Sequence, residues 1–190
     1  ADVTTYSESA HQGLARYLQV VVERSSQSAQ VVIVANSSTA EPLAACPDLI
    51  RERLGNELHR LWFNAHCERS NTIVGPQFQN WCGPESVIEH FGGAAVYYPP
   101  GAFGQNNLDI AERIVEHVRD QVPEGAQVVE FYAGVGAIGL SLLPRVAAVC
   151  MNEVSPHSLH GMARGIAGLD PLSRAMVEVV PGPAGEALRS

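Results

Sequence analysis

The sequence contains no lysine. All twelve of its basic side chains are arginines, set against twenty acids, for a net charge of −8 over 190 residues. Such a deficit argues against a protein that coats nucleic acid, because phosphate binding rests largely on basic side chains. Any phosphate contacts would fall to arginines such as Arg51, Arg53, Arg60 and Arg69, which suit bidentate recognition better than diffuse attraction. No apolar run reaches the roughly 20 residues that span a bilayer, and no charged-then-apolar leader opens the chain. No membrane or secreted protein is expected. Aromatics are few, at 6%, yet 46% of the residues are apolar, which is enough to bury a real core. The four cysteines, Cys46, Cys67, Cys82 and Cys150, form no CxxC pair and have no histidine at zinc-finger spacing. They read as thiols of a reducing, cytoplasmic compartment. His66 sits beside Cys67, but neighbours on a strand point to opposite faces. His157 and His160, three apart on a helical stretch, read as a solvated face. No metal is expected.

What is present falls into two parts. Arg16–Arg24 (RYLQVVVER) and Gln30–Ala35 (QVVIVA) are valine-rich strands around a polar turn, Ser25–Ala29. After Pro47, Leu49, Ile50, Leu54 and Leu58 recur at helical spacing. Short strand candidates follow at Arg60–Asn64, Asn71–Val74, Phe78–Trp81, Val87–His90 and Ala94–Tyr98. Residues 1–104 are therefore expected to form a β-rich, antiparallel α+β unit. Over residues 105–190 the period changes. Asn107–Val122 places Leu108, Ile110, Ala111, Ile114, Val115, Val118 and Val122 on one helical face. A strand (Gln127–Phe131), a glycine loop (Ala133–Gly139), a short helix to Leu143 and a strand (Ala147–Met151) come next. A helix (Pro156–Ala167) and a strand (Met176–Val180) complete the series. This βαβαβ order is the opening half of a doubly wound, Rossmann-like α/β domain with a parallel sheet. Its missing second half predicts a fragment of a larger protein.

Gly134-Val135-Gly136-Ala137-Ile138-Gly139 fits G-x-G-x-x-G, after a strand and at the start of a helix. Glycine there permits a tight turn and lets backbone approach a ligand at the carboxyl edge of the sheet. The motif serves dinucleotides and S-adenosylmethionine alike. Glu130, four residues earlier, puts a carboxylate where it can hold a cofactor's amino group and where it would repel a pyrophosphate. Glu153, just past the second strand, can accept both hydroxyls of a ribose. Ribose recognition is common to both cofactor classes, so Glu153 supports a nucleoside ligand without choosing. Glu130 favours S-adenosylmethionine, with an NAD-dependent oxidoreductase as the alternative.

Val129–Leu140 (VEFYAGVGAIGL) resembles the cofactor loop of the RNA 5-methyluridine, or uracil-C5, methyltransferases. Tyr98–Asp109 (YPPGAFGQNNLD) is similar to that family's Pro, Phe, Gln, Asn segment before the long helix. Arg69–Gly75 (RSNTIVG) is similar to its Gly-Asn-x-Ile-x-Gly stretch, with Ser70 for the first glycine, and His11–Tyr17 (HQGLARY) to its opening. The likeness runs through essentially the whole chain in the family's order. It implies S-adenosyl-L-methionine as cofactor, contacted by Gln105, Tyr132 and Glu153 beside Glu130, Gly134 and Gly136 of the loop. It also implies an RNA substrate, rRNA or tRNA, methylated at uracil C5. In that family a cysteine thiolate adds to C6, C5 attacks the sulfonium methyl group, and a base then removes the C5 proton. None of the four cysteines maps onto that nucleophile, which is expected beyond Ser190, so the chain is expected to bind cofactor without turnover. Gly182-Pro183-Ala184 departs from the family's Gly-Asp-Ala stretch, whose acid recognises adenine. That departure and the acidic balance keep a second alternative, a catalytically inactive RNA- or protein-binding relative.

Overall fold

A computed structural model describes residues 3–189. The chain forms two compact units, the first running to Val87 and the second starting at Ile88.

In the first unit β1 (Ala15–Glu23) and β2 (Ser28–Ala35) pair antiparallel, with Val20 opposite Val31. The chain crosses through α1 (Cys46–Leu54) and returns as β3 (Leu58–Ala65), parallel to β2. β4 (Gln77–Cys82) then closes the sheet antiparallel to β3. The unit expected to be antiparallel is thus a mixed sheet in the order β1-β2-β3-β4. The helix is the reason: a parallel pair needs a long crossover, and α1 supplies one where a hairpin turn would not. Gly55, at φ +49°, ends α1, so Leu58 opens β3 instead of closing the helix. One face of the sheet buries Val31, Ile33, Leu61, Phe63 and Ala65 together with Leu43, and Ile50 of α1 packs against them.

Residues 71–74 were expected as a strand and form a loop instead. His66 Nε2 lies 2.9 Å from the Thr72 carbonyl, and the loop is tied to β3 just beyond this stretch. Buried Asn64 donates through Nδ2 to the carbonyls of Gly75 and Gln77 and accepts the Gly75 amide. Arg60, counted above among the arginines free for phosphate, is fully buried, and its Nη2 lies 3.2 Å from Glu23 Oε2. Burial pulls the guanidinium below its usual pKa and the Glu23 carboxylate opposes that pull.

In the second unit β5 (Val87–Phe91), which begins at the boundary, pairs with β6 (Ala94–Tyr98). α2 (Leu108–Gln121) is capped by Asn107, whose Oδ1 accepts from the Ile110 amide. There follow β7 (Gln127–Phe131), α3 (Ala137–Leu142), β8 (Ala148–Glu153), α4 (Pro156–Ala167), α5 (Pro171–Ala175), β9 (Val177–Pro181) and α6 (Ala184–Ala187). β7, β8 and β9 lie side by side in a parallel sheet, the Rossmann-like α/β arrangement. The units divide at Val87 and not at residue 104 because of the β5–β6 pair. Phe91 and Val96 are buried with Ala111, Val115 and Val135, inside the core of the second unit. The apolar face of α2 is split: Ala111 and Val115 are buried, whereas Ile110 and Ile114 are 46% and 48% exposed. β8 runs on to Glu153, so that acid ends the strand instead of following it. Among the described residues no helix is long and apolar enough to cross a membrane.

Replacing Glu23 by alanine leaves the Arg60 guanidinium buried without its counter-charge. The expected cost is about 3–5 kcal/mol, read as a fall in the urea midpoint at unchanged slope. A cost below about 1 kcal/mol, typical of a surface pair, would contradict this account.

Candidate functional site

β7 ends at Phe131 and the chain then reverses into α3 through three left-handed residues: Tyr132 at φ +58°, Gly134 at +59° and Gly136 at +85°. Glycine accepts that geometry freely, but a tyrosine adopts it only when its surroundings impose it. The Tyr132 side chain is 78% exposed, so the constraint comes from the backbone that follows. The Ala133 amide donates to the Asn152 carbonyl at 3.0 Å and the Gly136 amide to the Ala133 carbonyl at 2.9 Å. The Gly134 amide donates to Glu153 Oε2 at 2.7 Å. The other oxygen of Glu153, Oε1, accepts from the Val154 and Ser155 amides at 2.8 and 2.7 Å. One buried carboxylate thus joins the glycine turn, the end of β8 and the entry to α4. Ser155 in turn caps α4 by accepting from the Ser158 amide.

Glu130 lies beside Met151 in the β7–β8 register, and its Oε2 accepts from the Gly139 amide at 2.8 Å. Gly139 packs closely there: a Cβ would lie 2.6 Å from Met151 Sδ and 2.7 Å from Glu130 Oε2, so both side chains would have to shift to admit one. Burial pushes the Glu130 carboxyl up to about 7, against the opposing pull of the Gly139 amide. The carboxylate expected to hold an amino group thus spends one oxygen on the start of α3. Gly134 differs from Gly139: a Cβ built on it meets no atom within 4 Å. The turn therefore presents backbone to open space, which a ligand at the carboxyl edge of the sheet requires.

The structure brings Glu130, Tyr132, Gly134, Gly136 and Glu153 to the carboxyl ends of β7 and β8. Gln105 stands apart in sequence, exposed on the coil between β6 and α2. That coil reaches the same region at Gly161 of α4, where a Cβ would come within 3.0 Å of both Pro99 and Val135 of the turn. Asn152 had no signal in the periodicity. Buried at the end of β8, it donates through Nδ2 to the Val180 and Gly182 carbonyls at 2.8 and 2.9 Å. The Gly182 amide donates to the Glu153 carbonyl, so the segment leaving β9, with Pro183 next to it, is tied to the same strand end. Cys150 lies inside β8, and burial and the Glu178 carboxylate push its thiol up, which disfavours the reactive thiolate. Among the described residues, no group of three His, Cys, Asp or Glu side chains is placed to hold a metal ion.

Three parallel strands, glycines in the first turn and an acid ending the second strand are the arrangement of a Rossmann-like α/β fold. The tRNA (uracil-54, C5)-methyltransferase of Pyrococcus abyssi, solved with S-adenosyl-L-homocysteine, superposes with a TM-score of 0.73. It does so at 18% identity over 95% of this chain and 42% of its own. In sequence the chain is similar to an uncharacterized RNA methyltransferase of Protochlamydia amoebophila, 36% identical over 159 residues, 80% of this chain. Another, from Gloeobacter violaceus, is 28% identical over 147 residues, 76% of this chain. The chain spans 42% and 32% of the lengths of these two relatives. No protein-family model matches it. The nicotinamide-dependent alternative finds no support in these likenesses.

The raised carboxyl of Glu130 has a consequence for stability. A native value near 7 against 4.5 for the free side chain means that the folded protein holds this proton more tightly than the unfolded chain. The stabilisation is complete below about pH 4.5, is lost as pH rises, and is gone above about pH 7, a total of order 3 kcal/mol. Glu130→Gln keeps an acceptor for Gly139 and removes the titration. Its melting temperature, followed by circular dichroism between pH 4.5 and 8, is expected to fall less than that of the wild type. Parallel profiles for the two proteins would refute the assignment.

Proposed function

We propose that this chain is the cofactor-binding part of an S-adenosylmethionine-dependent RNA methyltransferase that acts at C5 of uracil. The observation that carries the reading is the pairing of Glu153 with the Gly134 amide beneath an open glycine turn. The arrangement fits the cofactor. Glu153 uses three N–H contacts, and a carboxylate has about four acceptor sites, so a ribose hydroxyl can join them. Gly134 and Gly136 let the ligand lie against backbone, Tyr132 projects from the turn beside it, and Gln105 reaches it from the coil before α2. Glu130 supports the turn from below. When bound, S-adenosylmethionine supplies an electrophilic methyl group on a sulfonium. The uracil-C5 and RNA parts of the reading rest on the motif resemblance at Val129–Leu140 and Tyr98–Asp109. The names of the P. abyssi and P. amoebophila proteins support them.

An inactive relative of the same fold would keep the cofactor site and lose transfer. Calorimetric titration with S-adenosylmethionine is expected to give saturable 1:1 binding, with no heat from NAD. Glu153→Ala should weaken that binding by about tenfold or more, since it removes a charged acceptor and the tie to Gly134. Absence of binding by the wild type would refute the cofactor reading. Tritium transfer from labelled cofactor to unmodified transcripts by the full-length gene product, followed by nucleoside analysis, tests the base. 5-Methyluridine is the expected product; no incorporation, or label on another base, would refute the uracil-C5 assignment.

A further inference from the structure

The coil from Pro99 to Asn107 carries Gln105, and it is held at both ends. At its far end Asn107 caps α2. At its near end the Ala102 amide donates to the Pro99 carbonyl at 3.1 Å, a tight turn. Between these points it rests on two rings. Gly101, at φ +84°, lies so close to His157 that a Cβ would fall 2.9 Å from the ring Cδ2 and 3.0 Å from Cγ. Gly104, the residue before Gln105, lies against Tyr98, with a Cβ 3.2 Å from that ring. His157 belongs to the first turn of α4, four residues after Glu153. Its neighbour on the helix, Gly161, meets the Tyr97 carbonyl, Pro99 and Val135 together. The opening of α4 is therefore a common seat, fixed to the glycine turn through Glu153 and Val135 and to the coil through His157 and Pro99. Burial and the neighbouring His160 hold the imidazole below its usual pKa, so it packs as a neutral ring.

We infer that His157 is a positioning residue for the cofactor site: its ring seats the Pro99–Asn107 coil through Gly101, which sets where Gln105 stands relative to the glycine turn. The inference rests on the cofactor reading proposed above. Its physical basis is that a ligand held from two segments loses affinity when one of them shifts by about an ångström. His157 touches no ligand in this account; its effect passes through Gln105.

The test is a double-mutant cycle read by calorimetric titration with S-adenosylmethionine, on wild type, His157→Ala, Gln105→Ala and the double variant. His157→Ala is expected to weaken binding about tenfold. The double variant should bind no worse than Gln105→Ala within about twofold, because the two residues act as one unit. His157→Phe keeps a flat ring and should restore affinity to within about twofold of wild type. Melting curves run alongside separate a general loss of fold, and Gly101→Ala, which presses on the ring, replaces His157→Ala should that variant not fold. Wild-type affinity in His157→Ala, additive losses in the double variant, or no rescue by phenylalanine would each overturn the inference. Failure of the wild type to bind would instead overturn the cofactor reading, and this inference with it.

Discussion

The second unit depends on a carboxylate that is never alone. Glu153 is nearly buried at the end of a parallel strand, where an unpaired charge would cost several kcal/mol. Three backbone amides, from Gly134, Val154 and Ser155, satisfy it. Charge-assisted bonds of this kind are roughly twice as strong as neutral ones. They explain why Tyr132 tolerates a left-handed backbone, why the turn stays open above Gly134, and why α4 starts where it does. In the proposed cofactor site, the group offered to a ribose is the same group that builds the turn, so ligand recognition and loop architecture would share one side chain.

The second acid is used in the opposite way. Glu130 has a single amide partner and deep burial, so its proton is held to about pH 7. The two carboxylates near the ends of adjacent strands are held differently: Glu153 accepts from three backbone amides and Glu130 from one. Spacing along the chain makes them look equivalent; only the donors around each oxygen distinguish them.

The arginines show the same dependence on surroundings. Arg60 is spent inside the first unit on Glu23. Arg16 is committed to the His66 and Glu68 carbonyls, and Arg174 to those of Ala167 and Leu169. A tally of twelve positive charges therefore overstates what faces a phosphate. Without lysine, phosphate contacts in the proposed RNA-binding role fall to arginines at the surface, such as Arg51 on α1, which lies 3.7 Å from Asp48.

Local pattern was enough wherever a segment's own residues decide its state. β6, β7 and α4 were legible, because strand patterning and helical spacing act within a few positions. The glycine turn and both acids were legible for the same reason. Features decided by distant partners were not. The parallel pairing of β2 with β3 depends on where α1 returns the chain, and the loop at 71–74 is met by His66 of the preceding segment, whose Nε2 lies 2.9 Å from the Thr72 carbonyl. The β5–β6 pair belongs to the second unit because Phe91 and Val96 fill a core with α2. His157 and Asn152 carry no periodic signal, since their roles lie in a ring under Gly101 and an amide across two strand ends. By itself the sequence determined most of the strands and the long helices, the glycine turn and the positions of the acids near it. Only the tertiary structure decided which amides and rings each of those residues meets, because burial and hydrogen-bond partners come from segments far apart in the chain.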